Sequence, residues 1–420
     1  MLLEREGGAD YIENLLDSAL ARARLSPPDR GLLQELVYGA VRWQATLDWL
    51  IARKTPGRSQ KPGLQVLLRL ALYQIFWLSR IPDHAAVNET VEIAKRRGFG
   101  AQAGFVNAVL RGYLREREQT EVLLQELRRT DPALGYSHPQ WLCERWEKRL
   151  GRERLAQFLE WNNTPPATFA RVNTLRADPN QLREQWAREK VEAKLAPVDW
   201  AGDMLVFELQ SFPSLTTLRS FNEGWFYVQD PSTLLAVAEM NAQPGETVLD
   251  YCSAPGGKTT AIADRMKNAG TIIAHDTSPD RIKLIEENCK RLGVTCVTTA
   301  LPSTLASRPS TQFDRLLIDA PCSNTGVMRR RVDLRWRIRE TELARLRAAQ
   351  LQLLRDAVPR LKPGGTLVYS TCSLEPEENA EVVHEFLAGH AAMHLQRERA
   401  LTPWEHGVDG AYVARFTRGT

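Results

Sequence analysis

Two segments of this chain share one pattern: Leu316-Leu317-Ile318-Asp319-Ala320-Pro321-Cys322-Ser323 and Leu367-Val368-Tyr369-Ser370-Thr371-Cys372-Ser373. In each, a short apolar run that suits a buried parallel strand gives way to turn residues, which places the cysteine just beyond the carboxyl end of the strand. Ligands of open α/β sheets bind at that edge. If the strands are neighbours, both thiols face one crevice, an arrangement that suits attack on a planar base and then release. The pattern therefore favours methylation of a pyrimidine carbon.

Length and composition indicate a multidomain protein. The chain has 420 residues, 43% hydrophobic and 25% charged, too long for one compact unit. No stretch approaches the roughly 18 to 20 uninterrupted apolar residues of a membrane span, and Glu4, Glu6 and Asp10 occupy the region where a signal peptide is cationic. The cysteines form no C-x-x-C pair, which argues against a zinc site or disulfides. We expect a cytoplasmic monomer without membrane or metal partners.

Three successive patterns divide the chain. Residues 1–130 show apolar positions three and four apart and predict an all-α domain, with helices over 11–25, 29–54, 62–78, 85–97 and 104–115. Residues 131–221 combine a Trp-rich helix with an alternating run at 168–174, which predicts a small α+β module. Residues 222–420 alternate strands and helices and predict a Rossmann-like, doubly wound parallel sheet. The predicted strands cover 247–250, 271–276, 295–299, 315–319 and 365–370, with a last strand near 410–416.

A strand, a turn of small residues and a helix start follow one another at 248–259. The turn fails the dinucleotide fingerprint because 251–255 contain no glycine, and it fails the P-loop because Cys252 stands where that motif needs one. Asp276 ends the next strand about twenty residues beyond Gly256, the usual place for an acid that bonds ribose hydroxyls. Each feature alone is as well explained by a tight turn or a helix cap. Together, Gly256, Gly257 and Asp276 favour S-adenosylmethionine.

Methylation at C5 of cytosine explains the need for two thiols. C5 is a poor nucleophile until a thiolate adds at C6, and a base must later remove the C5 proton so that the thiol can leave. Asp319 is placed to bond the N3/N4 edge of a base splayed into the pocket. Most buried cysteines are inert packing, an interpretation that suffices for Cys143, Cys289 and Cys296. This reasoning does not assign which of Cys322 and Cys372 attacks.

The motifs resemble those of the RNA 5-methylcytosine methyltransferases: Asp319-Ala320-Pro321-Cys322-Ser323, Ser370-Thr371-Cys372-Ser373 and Ala254-Pro255-Gly256-Gly257-Lys258. The resemblance implies that Cys372 is the nucleophile at C6, that Cys322 assists product release and that Asp319 contacts the base. It also implies a set of S-adenosylmethionine contacts: Cys252, Ser253, Ala254, Pro255, Gly256, Gly257, Lys258, Asp276 and Asp319. The chain departs from the family at 298–302, which holds no acid where members usually place one near the adenine.

The helical half resembles a NusB-like RNA-binding domain through 29–49 and 81–89. Fusion of such a domain to this core is similar to family members that act on small-subunit (16S) ribosomal RNA, which is therefore the expected partner and substrate. We predict RNA contacts at Arg171 and Asn173, in a stretch that matches the family. Further contacts are predicted at Arg329, Arg330 and Arg331, which follow the Cys322 loop and suit phosphates or stacked bases.

Three alternatives stay open at this point. The same chemistry on transfer RNA is compatible with the core motifs, although the NusB-like domain argues against it. An RNA-binding assembly factor with a weakened methyltransferase site is suggested by the acid missing near Ala300. A DNA cytosine methyltransferase would ordinarily attack from the Pro-Cys motif alone, which the second cysteine in Thr371-Cys372-Ser373 disfavours.

Overall fold

Helices form the first 165 residues, as their apolar spacing predicts. A computed structural model describes residues 1–307 and 311–420, and it separates them into two units: Met1–Pro165 with Met328–Arg337, and Pro166–Val327 with Ile338–Thr420. The helices before Pro165 are α1 (Leu2–Gly7), α2 (Ile12–Arg22), α3 (Pro27–Arg42), α4 (Gln44–Lys54), α5 (Pro62–Trp77), α6 (Asp83–Arg96), α7 (Ala103–Arg115), α8 (Arg117–Thr130), α9 (Pro132–Gly135), α10 (Gln140–Leu150) and α11 (Arg152–Asn163), with a 3-10 turn at Gly100–Gln102. Leu47, Leu68 and Leu110 are fully buried in a core built mainly by α4, α5, α6 and α7.

The predicted helix over 29–54 is two helices, because the backbone leaves helical geometry at Trp43. The indole of Trp43 packs on that of Trp77, with ring centroids 4.8 Å apart. Helix α8 was not predicted, since most of its side chains are polar and exposed. The boundaries of the two units differ from those of the three predicted segments. Helices α10 and α11, from the predicted middle segment, belong to the first unit, whereas the small sheet of that segment belongs to the second.

The second unit begins with a four-stranded antiparallel sheet of order β2-β3-β1-β4. Its strands are β1 (Thr168–Val172), β2 (Glu192–Leu195), β3 (Val206–Ser211) and β4 (Phe226–Val228), with α12 (Pro179–Arg188), α13 (Arg219–Asn222) and 3-10 turns at Asp199–Ala201 and Leu215–Thr217. Asp178 caps the start of α12, since its carboxylate accepts hydrogen bonds from the amides of Asn180 and Gln181. Trp186 of α12 packs edge-on against Phe207 and Phe226 and closes the core of this small sheet.

A seven-stranded sheet of order β10-β11-β9-β8-β5-β6-β7 forms the rest of the second unit. Its strands are β5 (Thr247–Asp250), β6 (Thr271–His275), β7 (Val297–Ala300), β8 (Phe313–Asp319), β9 (Leu361–Thr371), β10 (Met393–Leu401) and β11 (Ala411–Arg418). The helices are α14 (Leu234–Met240), α15 (Gly257–Arg265), α16 (Pro279–Leu292), α17 (Pro302–Ala306), α19 (Glu340–Ala357), α20 (Ala380–Ala388) and α21 (Pro403–His406), with 3-10 turns at Pro231–Thr233, Thr325–Val327, Val358–Arg360 and Pro376–Glu378. The short helix α18 (Leu334–Arg337) belongs to the first unit.

The five strands from β9 to β7 are parallel, which confirms the Rossmann-like prediction for the core. The two remaining strands, β10 and β11, run antiparallel, so the sheet is mixed. Strand β10 was not predicted because it is an edge strand whose middle residues are charged and largely exposed. In contrast, Leu316, Leu317 and Ile318 of β8 are fully buried, as the continuous apolar run predicts.

Candidate active site

The two cysteine segments meet at one edge of the large sheet. Strands β8 and β9 are parallel neighbours, with Asp319 opposite Ser370. Because both strands end at the same edge, the loops that follow them run side by side, and the sulfur atoms of Cys322 and Cys372 lie 3.3 Å apart. The two thiols therefore face each other, as the sequence pattern predicts for neighbouring strands.

Asn324 holds the Cys322 loop in a bent conformation. Its backbone is left-handed, with φ of +58°, and its side-chain amide donates to the carbonyl of Cys322 over 2.7 Å. The amide oxygen accepts a hydrogen bond from the Cys372 thiol at 3.0 Å. The hydrogen bond to Cys372, together with burial, raises the pKa of Cys322 well above its ordinary value. Cys322 therefore keeps its proton at neutral pH.

A buried carboxylate that the sequence analysis missed, Glu378, ties the two loops together. One oxygen accepts from the backbone amide of Ser323 at 2.8 Å, and the other accepts from the hydroxyls of Ser373, at 2.5 Å, and of Ser323. The amide of Gln350 donates to Glu378 as well, at 3.0 Å. Glu378 is fully buried at the end of a 3-10 turn. The only sequence signal for this network was the serine that follows each cysteine.

Asp319 is paired with the lysine of the cofactor turn. The Lys258 ammonium donates to Oδ2 of Asp319 at 2.6 Å, and the Ser370 hydroxyl donates to Oδ1 at 3.2 Å. Burial alone would lower the pKa of Lys258, but the charge and hydrogen bond of Asp319 outweigh it, so the pKa is raised. Lys258 is therefore protonated at neutral pH. Its ion pair with Asp319 connects the carboxyl end of β8 to the cofactor turn at 251–257.

The cofactor turn is fastened to the end of β6. The amide of Ser253 donates to the carbonyl of His275 at 3.0 Å, and the amide of Ala254 donates to the carboxylate of Asp276 at 3.2 Å. Gly256 has a φ of +96° and is the N-cap residue that precedes α15. A side chain at Gly257 would approach the Tyr227 ring to 3.0 Å, so the turn has no room for larger residues there. The predicted small-residue turn is therefore a tight, supported backbone.

Asp250 supplies a test of whether this site suits S-adenosylmethionine. Its Oδ2 accepts from the Thr259 hydroxyl at 2.6 Å, while Oδ1 is buried and has no hydrogen-bond partner among the described residues. Burial raises the pKa of Asp250 to about 7. An unpartnered buried acceptor beside a small-residue turn, with Asp276 one strand away, fits a nucleoside that carries an ammonium group. Burial also raises the pKa of Cys252 far above its ordinary value, which suits a lining residue.

The end of β7 has a carboxylate although its own sequence lacks one. The Thr299 hydroxyl donates to Glu286 of α16 at 2.8 Å. The acid that the family usually supplies after this strand is thus absent from the strand, but a helix brings another carboxylate to its end. Within the described residues, no cluster of three or more metal-ligating side chains occurs and no helix is both long and apolar enough to cross a membrane.

The structure buries two residues that the sequence analysis assigned to RNA. The side chain of Arg171 is 1% exposed and donates to Gln229 and Asp264, at 2.9 and 3.3 Å. That of Asn173 is 2% exposed and donates to two backbone carbonyls. Both side chains connect the small sheet to the helices of the large sheet, Arg171 through Asp264 of α15 and Asn173 through the carbonyl of Leu292 at the end of α16. Their placement differs from the exposed contact that was predicted.

The arginines after the Cys322 loop divide into buried and exposed members. Residues 328–337 pack with the first unit, where the buried guanidinium of Arg329 lies 3.8 Å from the centre of the Trp161 ring. Arg335 is fully buried and donates to Asn163 at 2.8 Å. Arg330 is half-buried and Arg331 is exposed. Of Arg329, Arg330 and Arg331, the last is therefore the most exposed to solvent.

Three family models match the chain. The 16S rRNA methyltransferase RsmB/F model matches residues 237–417, the NusB family model matches residues 4–115, and the ferredoxin-like domain of RsmF/B-like methyltransferases matches residues 138–208. Together they cover the catalytic core, the helical domain and most of the small sheet. The matches agree with the order of the parts predicted from the sequence.

Relatives match over almost the full length. The probable ribosomal RNA small subunit methyltransferase B of Bacillus subtilis is 38% identical over 398 residues, which are 93% of this chain and 87% of that protein. The ribosomal RNA small subunit methyltransferase B of Erwinia tasmaniensis is 36% identical over 422 residues, covering 97% of this chain and 94% of its own.

Solved structures share the fold. The crystal structure of PH0851 superposes with a TM-score of 0.79 at 24% identity and covers 99% of this chain and 96% of its own. A methyltransferase homologue from Pyrococcus horikoshii has a TM-score of 0.61 at 29% identity, over 69% of this chain and 98% of its own.

Proposed function

Because the chain belongs to the ribosomal RNA small subunit methyltransferase B family, we propose that it methylates C5 of a cytosine in small-subunit ribosomal RNA through a covalent bond between Cys372 and C6. The family is one of methyltransferases that act on ribosomal RNA, and it implies S-adenosylmethionine as methyl donor. The observation that carries the finer proposal is the 3.3 Å distance between the sulfurs of Cys322 and Cys372 at one sheet edge. Chemistry that only bound the base would not need two thiols in contact.

Attack begins at Cys372. Its thiolate adds to C6, and the electron pair of the C5–C6 double bond moves to C5, which becomes nucleophilic. Asp319 accepts a hydrogen bond from the exocyclic amino group of the base. The Lys258 ammonium, 2.6 Å from Asp319, offsets the negative charge that the addition places on the ring. The two loops thus present a nucleophile and a charge clamp toward one base.

The residues that would hold S-adenosylmethionine are those of the turn and its supports. When bound, S-adenosylmethionine supplies an electrophilic methyl carbon on its sulfonium sulfur. Gly256 and Gly257 would allow the donor to approach the backbone closely, Asp276 would accept hydrogen bonds from ribose hydroxyls, and the unpartnered Oδ1 of Asp250 would suit an ammonium group. These contacts would orient the donor.

Release needs the C5 proton and the Cys372 sulfur to leave together. Water or hydroxide from the solvent takes the proton, the electrons of that C–H bond restore the C5–C6 double bond, and Cys372 departs as a thiolate. Cys322 lies 3.3 Å from that sulfur and keeps its own proton because its pKa is raised. Its thiol can therefore hydrogen-bond the departing thiolate and favour release.

Methyl transfer to RNA tests the proposal directly. We expect the protein to transfer labelled methyl from S-adenosylmethionine to unmodified small-subunit ribosomal RNA, and nucleoside analysis to identify the product as 5-methylcytosine. Transfer RNA is the matched substrate control. Labelling of transfer RNA alone would keep the chemistry and discard the substrate, and no labelling of either RNA would favour a binding factor.

Asp319→Asn is expected to lower kcat by about 10²-fold or more, because the neutral amide no longer balances Lys258 or accepts fully from the base amino group. The affinity for S-adenosylmethionine, measured by calorimetry, should be kept in part. Asp314→Asn is the matched control, since Asp314 lies at the other end of β8 and pairs with Lys362. Wild-type turnover by the Asp319 variant would rule out its role at the base.

A further inference from the structure

A cleft of about 590 Å³ opens beside the small sheet, lined by Arg176, Trp225, Lys290 and Arg291 together with Asn222, Glu223 and Glu287. Its walls come from the turn after β1, the loop between α13 and β4, and the last turns of α16. It shares no lining residue with the cofactor turn, with Asp319 or with the two cysteines. The cleft is therefore a second concave site on the catalytic unit, outside the machinery described above.

The buried Asn173 pins the walls of this cleft. Its side-chain amide donates to the carbonyl of Gly224 at 2.6 Å and to that of Leu292 at 2.8 Å, and these residues adjoin Trp225 and Arg291. Gly224 has a φ of +74°, and a side chain there would stand 2.0 Å from the carbonyl oxygen of Arg291. The two walls are therefore in direct contact at their base. A site held in this way loses little entropy when a ligand binds.

Three cations line the cleft without forming an ion pair among the described residues: Arg176, Lys290 and Arg291. Arg291 donates to the carbonyl of Phe221 at 2.9 Å and stacks on its ring, so its position is fixed without a carboxylate partner among the described residues. Arg176 and Lys290 are exposed, and neither forms an ion pair within the described part of the chain. Of the two acids in the lining, Glu223 is already paired with Arg219 at 2.7 Å. The cleft thus offers positive charge to an anionic partner.

Trp225 adds an aromatic surface. It packs in part against the core of the small sheet and is half-exposed on the side that lines the cleft. A supported aromatic ring next to unpaired cations is the combination that single-stranded RNA uses, with bases stacked on rings and phosphates held by Arg and Lys. A peptide or a free phosphate would use the charges but would not require the ring.

We propose that this cleft binds a single-stranded segment of the substrate RNA, with a base stacked on Trp225 and phosphates contacted by Arg176 and Lys290. The inference rests on the proposed function only for the nature of the substrate. It also assigns a task to Asn173: this positioning residue builds the RNA surface from inside instead of touching RNA itself.

Fluorescence anisotropy with a labelled, unstructured pyrimidine oligoribonucleotide of about twelve nucleotides tests the cleft. Arg176→Glu combined with Lys290→Glu is expected to weaken binding by at least about tenfold and to flatten the salt dependence of the affinity, because each lost phosphate contact lowers the slope by about one. Trp225→Ala should weaken binding by about tenfold with little change in that slope, since stacking is not ionic.

The matched control combines Arg188→Glu with Lys194→Glu, which makes the same charge change on exposed residues outside the cleft. Thermal unfolding checks that each variant is folded. If both cleft variants bind the oligonucleotide like the wild type, the inference is overturned. It is also overturned if the variants bind the oligonucleotide normally and lose affinity only for intact small-subunit particles, because that result would indicate a protein partner. If the wild-type protein transfers no methyl group to RNA, the proposed function is refuted, but the binding measurements on the cleft variants keep their meaning. The two failures are therefore distinguishable.

Discussion

Cys322→Ala is expected to accumulate a covalent complex with RNA, whereas Cys372→Ala should form no complex and lose turnover by at least about 10⁴-fold. The sulfur of Cys322 lies where it can hydrogen-bond the departing sulfur of Cys372, so its removal slows release more than attack. Removal of Cys372 takes away the nucleophile itself. Denaturing electrophoresis with labelled ribosomal RNA detects the adduct, and methyl incorporation measures turnover.

Cys296→Ala is the control for loss of a thiol. Cys296 is half-buried just before β7, away from the two cysteine loops, and its substitution should leave both the adduct level and the turnover unchanged. An active Cys372→Ala variant, or an adduct that forms in it and not in Cys322→Ala, would reverse the assignment of the two cysteines.

Glu378→Gln is expected to lower kcat by about 10²-fold. The carboxylate accepts from Ser323, Ser373 and Gln350, and an amide offers one acceptor oxygen where two are needed. At least one buried donor is then left without a partner, which costs about 1–3 kcal/mol of stability. The loops that carry Cys322 and Cys372 should separate or shift. Steady-state kinetics and denaturant unfolding measure the two effects.

Two further readouts separate positioning from general damage. S-adenosylmethionine binding should stay near that of the wild type, because Glu378 makes no contact with the turn at 251–257, while the share of RNA trapped as adduct should change. Glu381→Gln is the matched control, since Glu381 is exposed on α20 and pairs with Arg347 over 2.7 Å. A Glu378→Gln variant with normal kcat would show that the network is not needed to align the thiols.

Local pattern was enough for the elements around the site. The apolar runs that end at Asp319 and Ser370 predicted two buried strands, and the small residues at 252–257 predicted a tight turn before a helix, whereas the pairing of the two strands came from the fold. Such patterns depend on the burial and the backbone freedom of a few neighbouring residues, so a short segment is enough to recognise them. Local pattern also suggested that Arg171 and Arg329 are exposed and contact RNA, because both are basic residues near functional motifs. In the structure they are buried, Arg171 beside Asp264 and Arg329 against the ring of Trp161.

The sequence by itself determined the parallel core, the cofactor turn and the two cysteine loops, because each is encoded by neighbouring residues. Only the tertiary structure decided the 3.3 Å distance between the sulfurs, the hydrogen bonds by which Glu378 joins the two cysteine loops, and those by which Asn173 joins the walls of the cleft. Those contacts join residues far apart in the chain, and whether a carboxylate or an amide becomes a buried anchor depends on which donors the fold brings within about 3 Å of it.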